Sequence, residues 1–198
     1  MKGYKALDEH MCAVNGNKMQ YELNKEYVLD GDLEINKNGY HFCKDLIWVL
    51  YTYNNINNNR FFEIDTLDGE VQSLSGTLGS YDLCNIDRNC SNKIKLVREI
   101  YRKELNDYIT ANIDGIIESD NDFIKYVLIS NQYHLDQFIK DPDPRIRMAV
   151  ANQGYGLDKL INDPDPRIRE YAKYKMKLKL NMVRGFSDDS NIDYTIIV

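Results

Sequence analysis

The chain has 198 residues, and its hydrophobic share of 43% is sufficient for one folded domain or two small ones. The net charge is −6. Residues 1–96 contain 10 Lys and Arg against 14 Asp and Glu, and the remainder contains 15 against 17. Neither half therefore has the basic excess that binding to a phosphate backbone requires. No apolar stretch reaches the length of a membrane span or a signal peptide. We therefore expect a cytoplasmic protein with reduced cysteines that binds neither nucleic acid nor membrane.

Residues 1–99 are predicted to form an α+β head domain with a small mixed or antiparallel sheet, because short β-like runs alternate with polar turns. A helix is predicted over 45–53, with Asp45 near its start. The predicted strands are 3–7, 27–28, 33–35, 40–43, 60–66 and 93–97.

Two His-x-Cys pairs occur in the head domain, His10 with Cys12 and His41 with Cys43. Residues two apart on a strand lie on the same face, so two adjacent strands would bring four zinc ligands together. The usual zinc spacing, two cysteines on one turn, is absent. The alternative is that these are ordinary buried or surface side chains, and we expect no metal or other cofactor.

The second half contains a repeat of 22 residues. The segment Asp141-Pro142-Asp143-Pro144-Arg145-Ile146-Arg147 recurs without change at 163–169, and a related pattern precedes it at 119–140, with a fainter copy from about 100. Repeats of this length indicate helical units that bury their apolar faces against neighbouring units. We expect a short α-helical solenoid over 100–180.

One repeat unit can be interpreted from local rules. Asp143 is predicted to cap a helix that begins at Pro144, and Gly154 is predicted to end it in a left-handed conformation. A second short helix is expected at 157–161. The repeated arginines either pair with the aspartates of the neighbouring unit and hold the stack together, or contact a partner. The candidate partner-binding residues are Arg145, Arg147, Tyr155, Arg167 and Arg169.

Residues 181–198 form a tail whose last segment, 192–198, is β-branched and apolar and is expected to be a strand. Such a strand would add to the sheet of the head domain or to a partner, because an exposed edge of this composition promotes aggregation. The Lys173, Lys175, Lys177 and Lys179 series is expected to be a solvated helix end, with a basic binding patch as the alternative.

Three resemblances accompany these patterns. Residues 119–173 resemble the short HEAT-like and variant leucine-rich repeats of bacterial and phage proteins, which implies a scaffold for a partner. The motifs Gly3-Tyr4-Lys5, Gly39-Tyr40-His41-Phe42-Cys43, Arg60-Phe61-Phe62-Glu63-Ile64 and Asn92-Lys93-Ile94-Lys95 resemble an uncharacterised domain common in phage and prophage genomes. The head domain is also weakly similar to small ADP-ribosyltransferases that use NAD. In that case Tyr40 and Glu70 would take the catalytic positions, while Tyr4-Lys5 stands where those enzymes have histidine or arginine.

The functional expectation that follows is a non-enzymatic protein-interaction module. The resemblances imply a phage-encoded protein that binds a host protein or a defence complex such as a CRISPR effector, with inhibition of that target as an expected consequence. Two alternatives remain, an NAD-dependent ADP-ribosyltransferase-like enzyme and a structural or virion-associated protein. The sequence gives no indication of the oligomeric state.

Overall fold

The structure is a computed structural model, which describes residues 1–14, 18–35, 37–74, 87–119 and 121–185. Its contacts divide the chain into two compact units, Met1–Val127 and Leu128–Val198. In chain order the described elements are β1 (Lys2–Leu7), β2 (Glu26–Val28), β3 (Tyr40–Phe42), α1 (Leu46–Thr52), β4 (Arg60–Asp65), β5 (Val71–Ser73), β6 (Asn89–Ser91), β7 (Lys93–Ile100), α2 (Arg102–Glu118), α3 (Asp122–Ser130), α4 (Leu135–Phe138), α5 (Pro144–Asn152), α6 (Leu157–Leu160) and α7 (Pro166–Gly185). The expected α+β class is confirmed.

Two antiparallel sheets lie in the first unit. The larger sheet has the strand order β1-β4-β7-β2, with a bulge between Glu63 and Ile64, and the smaller has the order β3-β6-β5. Tyr4 of β1 also exchanges two backbone hydrogen bonds with Cys43, just after β3. The two backbones approach so closely there that a side chain at Gly3 would collide with Phe42 and with the carbonyl of Cys43.

The core of the first unit follows the alternation of the strands. Its buried members come from one face of β1, β3, β4 and β7 and from the loop before β2. They are Leu7, Tyr21, Tyr40, Phe42, Phe62, Ile64, Ile94 and Leu96. Lys5 lies on this same face of β1, two residues before Leu7, and only 4% of its surface is exposed.

Most predicted elements of this unit are present, with two exceptions. The predicted strand at 33–35 is wrong. Gly31 takes φ +104°, Asn38 donates its side-chain amide to the carbonyl of Asp32, and Glu34 pairs locally with Asn38, so this segment folds back on itself as a turn. Strands β5 and β6, each three residues long, were not predicted. The predicted strand at 192–198 falls outside the described residues.

The helical pairs repeat the same local geometry after 22 residues. Asp143 accepts the backbone N–H of Arg145 at 2.7 Å, and Asp165 accepts that of Arg167 at 2.8 Å. Gly154 takes φ +72°, as predicted for the end of α5, and its counterpart Gln132 takes φ +64°. The fainter copy predicted upstream does not match this geometry, because α2 is one continuous helix of 17 residues.

The second unit has a packed interior of its own in its described part. Helix α7 packs against α5 and α6, and α5 packs against α4. Ile146 and Val150 of α5, with Ile168 and Ala172 of α7, are almost completely buried, which is the helical spacing that the sequence predicts. None of the helices in the described ranges has both the length and the apolar content needed to cross a bilayer.

Candidate functional site

A cavity of about 490 Å³ lies in the first unit, in the size range of small-molecule pockets. Strand β1 contributes Lys5 and strand β3 contributes Tyr40 to Phe42, while Thr52 and Tyr53 come from the end of α1. Asp45 fixes the start of that helix, since its carboxylate accepts the backbone N–H of Ile47 at 3.1 Å. All of the described lining residues belong to the first unit.

The ammonium group of Lys5 is the main electrostatic feature of the cavity. It donates a hydrogen bond to the backbone carbonyl of His41 at 2.7 Å and lies 5.3 Å from the centre of the Tyr21 ring. Burial lowers the pKa of Lys5 from 10.5 to about 8, because the charged form has lost most of its hydration. Lys5 is therefore mostly protonated at neutral pH, and in the described residues it has no carboxylate partner.

The acidic groups around Lys5 remain neutral at physiological pH and do not offset its charge. Burial raises the pKa of the Cys43 thiol to about 12 and that of the Tyr53 phenol to about 12, and it also raises the pKa of Tyr21. The pKa of His41 is lowered by burial and by the positive charges of Lys5 and Arg88. The cavity wall is thus neutral apart from its cations.

Two further cations line the cavity, Arg88 and Lys37, whereas no Asp or Glu of the described residues does. Lys37 forms an exposed ion pair with Glu34, so its charge is largely compensated. Asp87 lies next to Arg88 in the chain, but its carboxylate accepts the backbone N–H of Asp45 at 2.8 Å and the side-chain amide of Asn89 at 2.6 Å. In a chain with net charge −6, this cavity has a positive character.

A second cavity of about 640 Å³ in the same unit has a different electrostatic character. Arg60 and Glu99 form a two-pronged ion pair on its wall, with distances of 2.9 and 2.6 Å. Arg102 donates to the carbonyls of Ile56 and Asn57. Its cations are therefore occupied within the protein, and we take the first cavity as the candidate ligand site.

The two candidate transferase residues are not brought together. Tyr40 lines the first cavity and lies in its smaller sheet, but Glu70 is exposed at the turn before β5 and does not line the cavity. Tyr40 and Val71 pair with Ser91 from opposite sides, so the strand β6 separates the segment of Glu70 from β3. Lys5, at the position where the resembled enzymes have histidine or arginine, does line the same cavity as Tyr40.

The four candidate zinc ligands do not form a cluster. His10 is exposed near Glu9, whereas Cys43 is buried beside the Lys5 strand. Across the described part of the chain, no group of three or more His, Cys, Asp or Glu residues is arranged to hold a metal ion. Cys12, Cys43 and Cys90 are free thiols.

The repeated arginines of the second unit divide into two kinds. The buried Arg147 donates to both carboxylate oxygens of Asp163, at 2.8 and 2.9 Å, and to the carbonyls of Asp141 and Pro142. This is the aspartate–arginine link between neighbouring repeats, and it places the Arg147 guanidinium in the interior, where it cannot reach a partner. Arg169 makes the equivalent carbonyl contacts to Asp163 and Pro164, at 2.7 and 2.9 Å. The position equivalent to Asp163 is then residue 185, a glycine.

The other candidate partner-binding residues are on the surface. Arg145 and Arg167 are exposed and fold back onto the aspartates that cap their own helices, Asp143 and Asp165. Tyr155 is 39% exposed.

Helix α7 presents an apolar pair that the sequence analysis did not single out. Tyr174 is 57% exposed and Leu178 is 37% exposed, and residues four apart lie on one helical face. Lys173 and Lys177, each one residue before a member of this pair, are also exposed. Residues 166–181 contain six Lys and Arg against one Glu, which pairs with Lys173 at 2.8 Å, so this part of α7 has a basic composition. The sequence does indicate this pair, because Tyr174 and Leu178 are apolar but do not follow the helical spacing of the buried Ile168 and Ala172.

The first unit is thus a small α+β domain with a positively charged cavity, joined in one chain to repeated helical pairs. Residues 1–111 match the family described as "Domain of unknown function (DUF7666)", and this covers more than half of the chain. The protein therefore belongs to that family. Comparison with curated proteins and with solved structures finds no match.

Proposed function

We propose that this protein is a non-enzymatic protein-interaction module whose helices from α3 onward form a short HEAT-like solenoid of 22-residue repeats. The equivalent caps, the equivalent left-handed positions and the buried Arg147–Asp163 pair support the repeat architecture. In such architectures each unit contacts its neighbours in sequence, and the outward residues are left to bind partners.

The observation that carries this proposal is the exposed apolar pair of α7, Tyr174 and Leu178, with the exposed Lys173 and Lys177 next to it in the chain. Tyrosine is enriched in the energetically dominant residues of interfaces, and exposed apolar residues surrounded by charges are typical of binding surfaces. The partner is a protein with an apolar groove and an acidic rim, since the face that it covers is apolar and basic. Arg169, Arg167, Arg145 and Tyr155 are the further contact residues in the second unit.

The resemblance of the first unit to phage and prophage domains supports a phage origin. The partner would then be a host protein or a host defence complex, such as a CRISPR effector. The protein would bind to the surface of this partner in the host cytoplasm and block it. Neither an NAD-dependent transferase nor a virion component is favoured by a specific arrangement of the described residues.

The test begins with affinity capture of the full chain from host lysate and reconstitution of each captured protein with purified chain. The decisive variant is Tyr174→Ala/Leu178→Ala. It is expected to fold, because alanine is the best helix former and both side chains are exposed. Loss of two central interface side chains is expected to weaken binding by about 100-fold, which corresponds to about 2–3 kcal/mol in calorimetry.

A matched control removes an equally exposed pair from the other unit, Tyr101→Ala/Val97→Ala, whose side chains are 67% and 40% exposed. This control is expected to leave affinity within about twofold. Equal affinity of the α7 variant and the wild-type chain would refute the α7 surface. Capture of nucleic acid instead of a protein, lost with Lys173→Gln/Lys177→Gln, would favour the basic-patch alternative.

A further inference from the structure

Lys5 has more hydrogen-bonding capacity than the described residues use. An ammonium group has three N–H donors, and in the described part of the chain one of them reaches an acceptor, the carbonyl of His41 at 2.7 Å. The nearest thiol and phenols are neutral, and the Tyr21 ring at 5.3 Å offers only its π face. A buried cation is costly unless it is paired, so an accessible space beside it favours an anion.

We propose that this cavity, named here the Lys5 cavity and lined by Lys5, Tyr40, Phe42, Tyr53 and Arg88, binds a small organic anion. The acidic group of the ligand, a carboxylate or a phosphate, lies against the Lys5 ammonium, and its carbon skeleton packs against the aromatic wall. This proposal is independent of the protein-interaction surface on α7, because the cavity lies wholly in the first unit.

The composition of the wall supports an organic anion over a bare inorganic ion. Ala13, Met19, Leu29 and Phe42 supply apolar surface, and the phenols of Tyr40 and Tyr53 supply hydroxyls that can donate to an acidic group. Arg88 adds a second, planar donor of the kind that recognises carboxylates and phosphates. The volume of about 490 Å³ accommodates a ligand of one or two rings.

The second cavity provides an internal comparison. It is larger, but its guanidinium groups are paired with Glu99 and with backbone carbonyls. An anion entering it would have to displace Glu99 from Arg60, whereas an anion that contacts the Lys5 ammonium displaces no carboxylate of the described residues from it. The Lys5 cavity is therefore the better anion site because the Lys5 ammonium has no carboxylate partner among the described residues, and not because of its volume.

The experiment is a titration of the full-length chain, with lysine side chains isotopically labelled and observed by NMR. The probes are benzoate, phenyl phosphate and the neutral benzyl alcohol, which share one aromatic ring. The Lys5 signal is assigned by its absence from the spectrum of Lys5→Met. We expect one or both anions to shift the Lys5 signal saturably and to raise the pKa of Lys5 from about 8 toward 10.5, because an anion stabilises the ammonium form. Benzyl alcohol is expected to do neither.

Variants localise the effect. Lys5→Met is expected to weaken the better anion by at least about tenfold, and Arg88→Gln by about threefold or more, whereas Lys2→Met, an exposed lysine on the same strand, leaves affinity unchanged. Tighter binding of benzoate identifies a carboxylate ligand, and tighter binding of phenyl phosphate identifies a phosphate ligand. No change of the Lys5 signal with either anion at tens of millimolar overturns the proposal. So does an equal response to benzyl alcohol. If Lys5→Met does not fold, Lys5→Arg supplies the assignment, and the wild-type titration and Arg88→Gln decide the outcome.

Discussion

Replacing Lys5 with methionine is expected to stabilise the first unit at neutral pH. Methionine has a similar length and no charge, so it removes the desolvation penalty of the buried ammonium while filling the same space. A fall of the lysine pKa from 10.5 to about 8 corresponds to a penalty of about 3 kcal/mol for the protonated form. Loss of the hydrogen bond to the carbonyl of His41 offsets about 1 kcal/mol of this gain. The net increase in the free energy of unfolding is therefore about 2 kcal/mol at pH 7.

The difference between wild type and Lys5→Met must depend on pH with a definite sign. Between about pH 8 and 10.5 the unfolded chain keeps a proton on Lys5 that the folded chain has lost, so the stability of the wild type rises with pH. The opposite applies to Cys43, because its pKa is raised from 9.0 to about 12 and its unfolded form ionises first above pH 9. The charge of Lys5 lowers the pKa of Cys43, so its removal leaves folded Cys43 protonated up to pH 9 in both proteins, and subtraction over that range isolates Lys5. The free energy of unfolding of Lys5→Met minus that of the wild type is expected to decrease by about 1 kcal/mol between pH 7 and pH 9.

Urea unfolding at several pH values, followed by the fluorescence of Trp48, measures this difference. Trp48 is the single tryptophan of the chain and lies in α1, so its signal reports on the first unit. Lys2→Met serves as the control and is expected to show no comparable trend. A stability difference that does not change with pH, or a marked destabilisation by Lys5→Met at pH 7, would show that the ammonium is compensated in the folded chain. That result would remove the basis of the Lys5 cavity as an anion site.

The remaining predictions concern the second unit and are measured by urea unfolding followed by circular dichroism. Arg147→Ala is expected to cost about 3–5 kcal/mol because it leaves the buried Asp163 carboxylate without its partner. Arg167→Ala, which removes an exposed guanidinium, is expected to leave stability essentially unchanged. The hydrogen bonds from Arg147 lower the pKa of Asp163 below 3.8, so the stability that this pair contributes is present above about pH 4 and is lost as the pH falls further. Asp163→Asn is therefore expected to weaken the loss of stability below pH 4. An unchanged dependence of stability on pH in that range would contradict the assignment. Gly156→Ala is expected to cost at least about 1–2 kcal/mol, since Gly156 has φ +58° and an added Cβ would collide with Ile139, and a neutral effect would contradict this.

Local rules predicted the helical unit well because its determinants are close in sequence. The cap at Asp143, the start at Pro144 and the left-handed Gly154 each depend on a few adjacent residues, and the structure contains all three. Each of these features depends on the local backbone geometry and little on contacts with residues that are distant in the sequence. The same rules placed α1 and the strands β1, β3, β4 and β7 to within a few residues.

The candidate cavity could not be predicted in the same way, because it depends on contacts between distant segments. His41 is 36 residues from Lys5, yet it supplies the acceptor for the ammonium. Strand alternation does indicate that Lys5 shares a face with Leu7, and a lysine on the core face of a strand is a signal that can be found from sequence alone. The contribution of Arg88 gives no such signal, since it follows a polar segment and precedes a strand of only three residues.

The repeated motif shows why identical residues need not have identical roles. The two arginines of one motif, such as Arg145 and Arg147, lie on different sides of the helix, because two residues advance the helix by about 200°. Arg145 is exposed and folds back onto Asp143, while Arg147 is buried against Asp163 of the next motif. The repeated spacing therefore links one motif to the next through the second arginine and leaves the first arginine at the surface. Under the proposed protein-interaction function, residues that differ between the repeats, such as Tyr174 and Leu178 of α7, would distinguish one partner from another, while the exposed motif arginines would add contacts common to both copies.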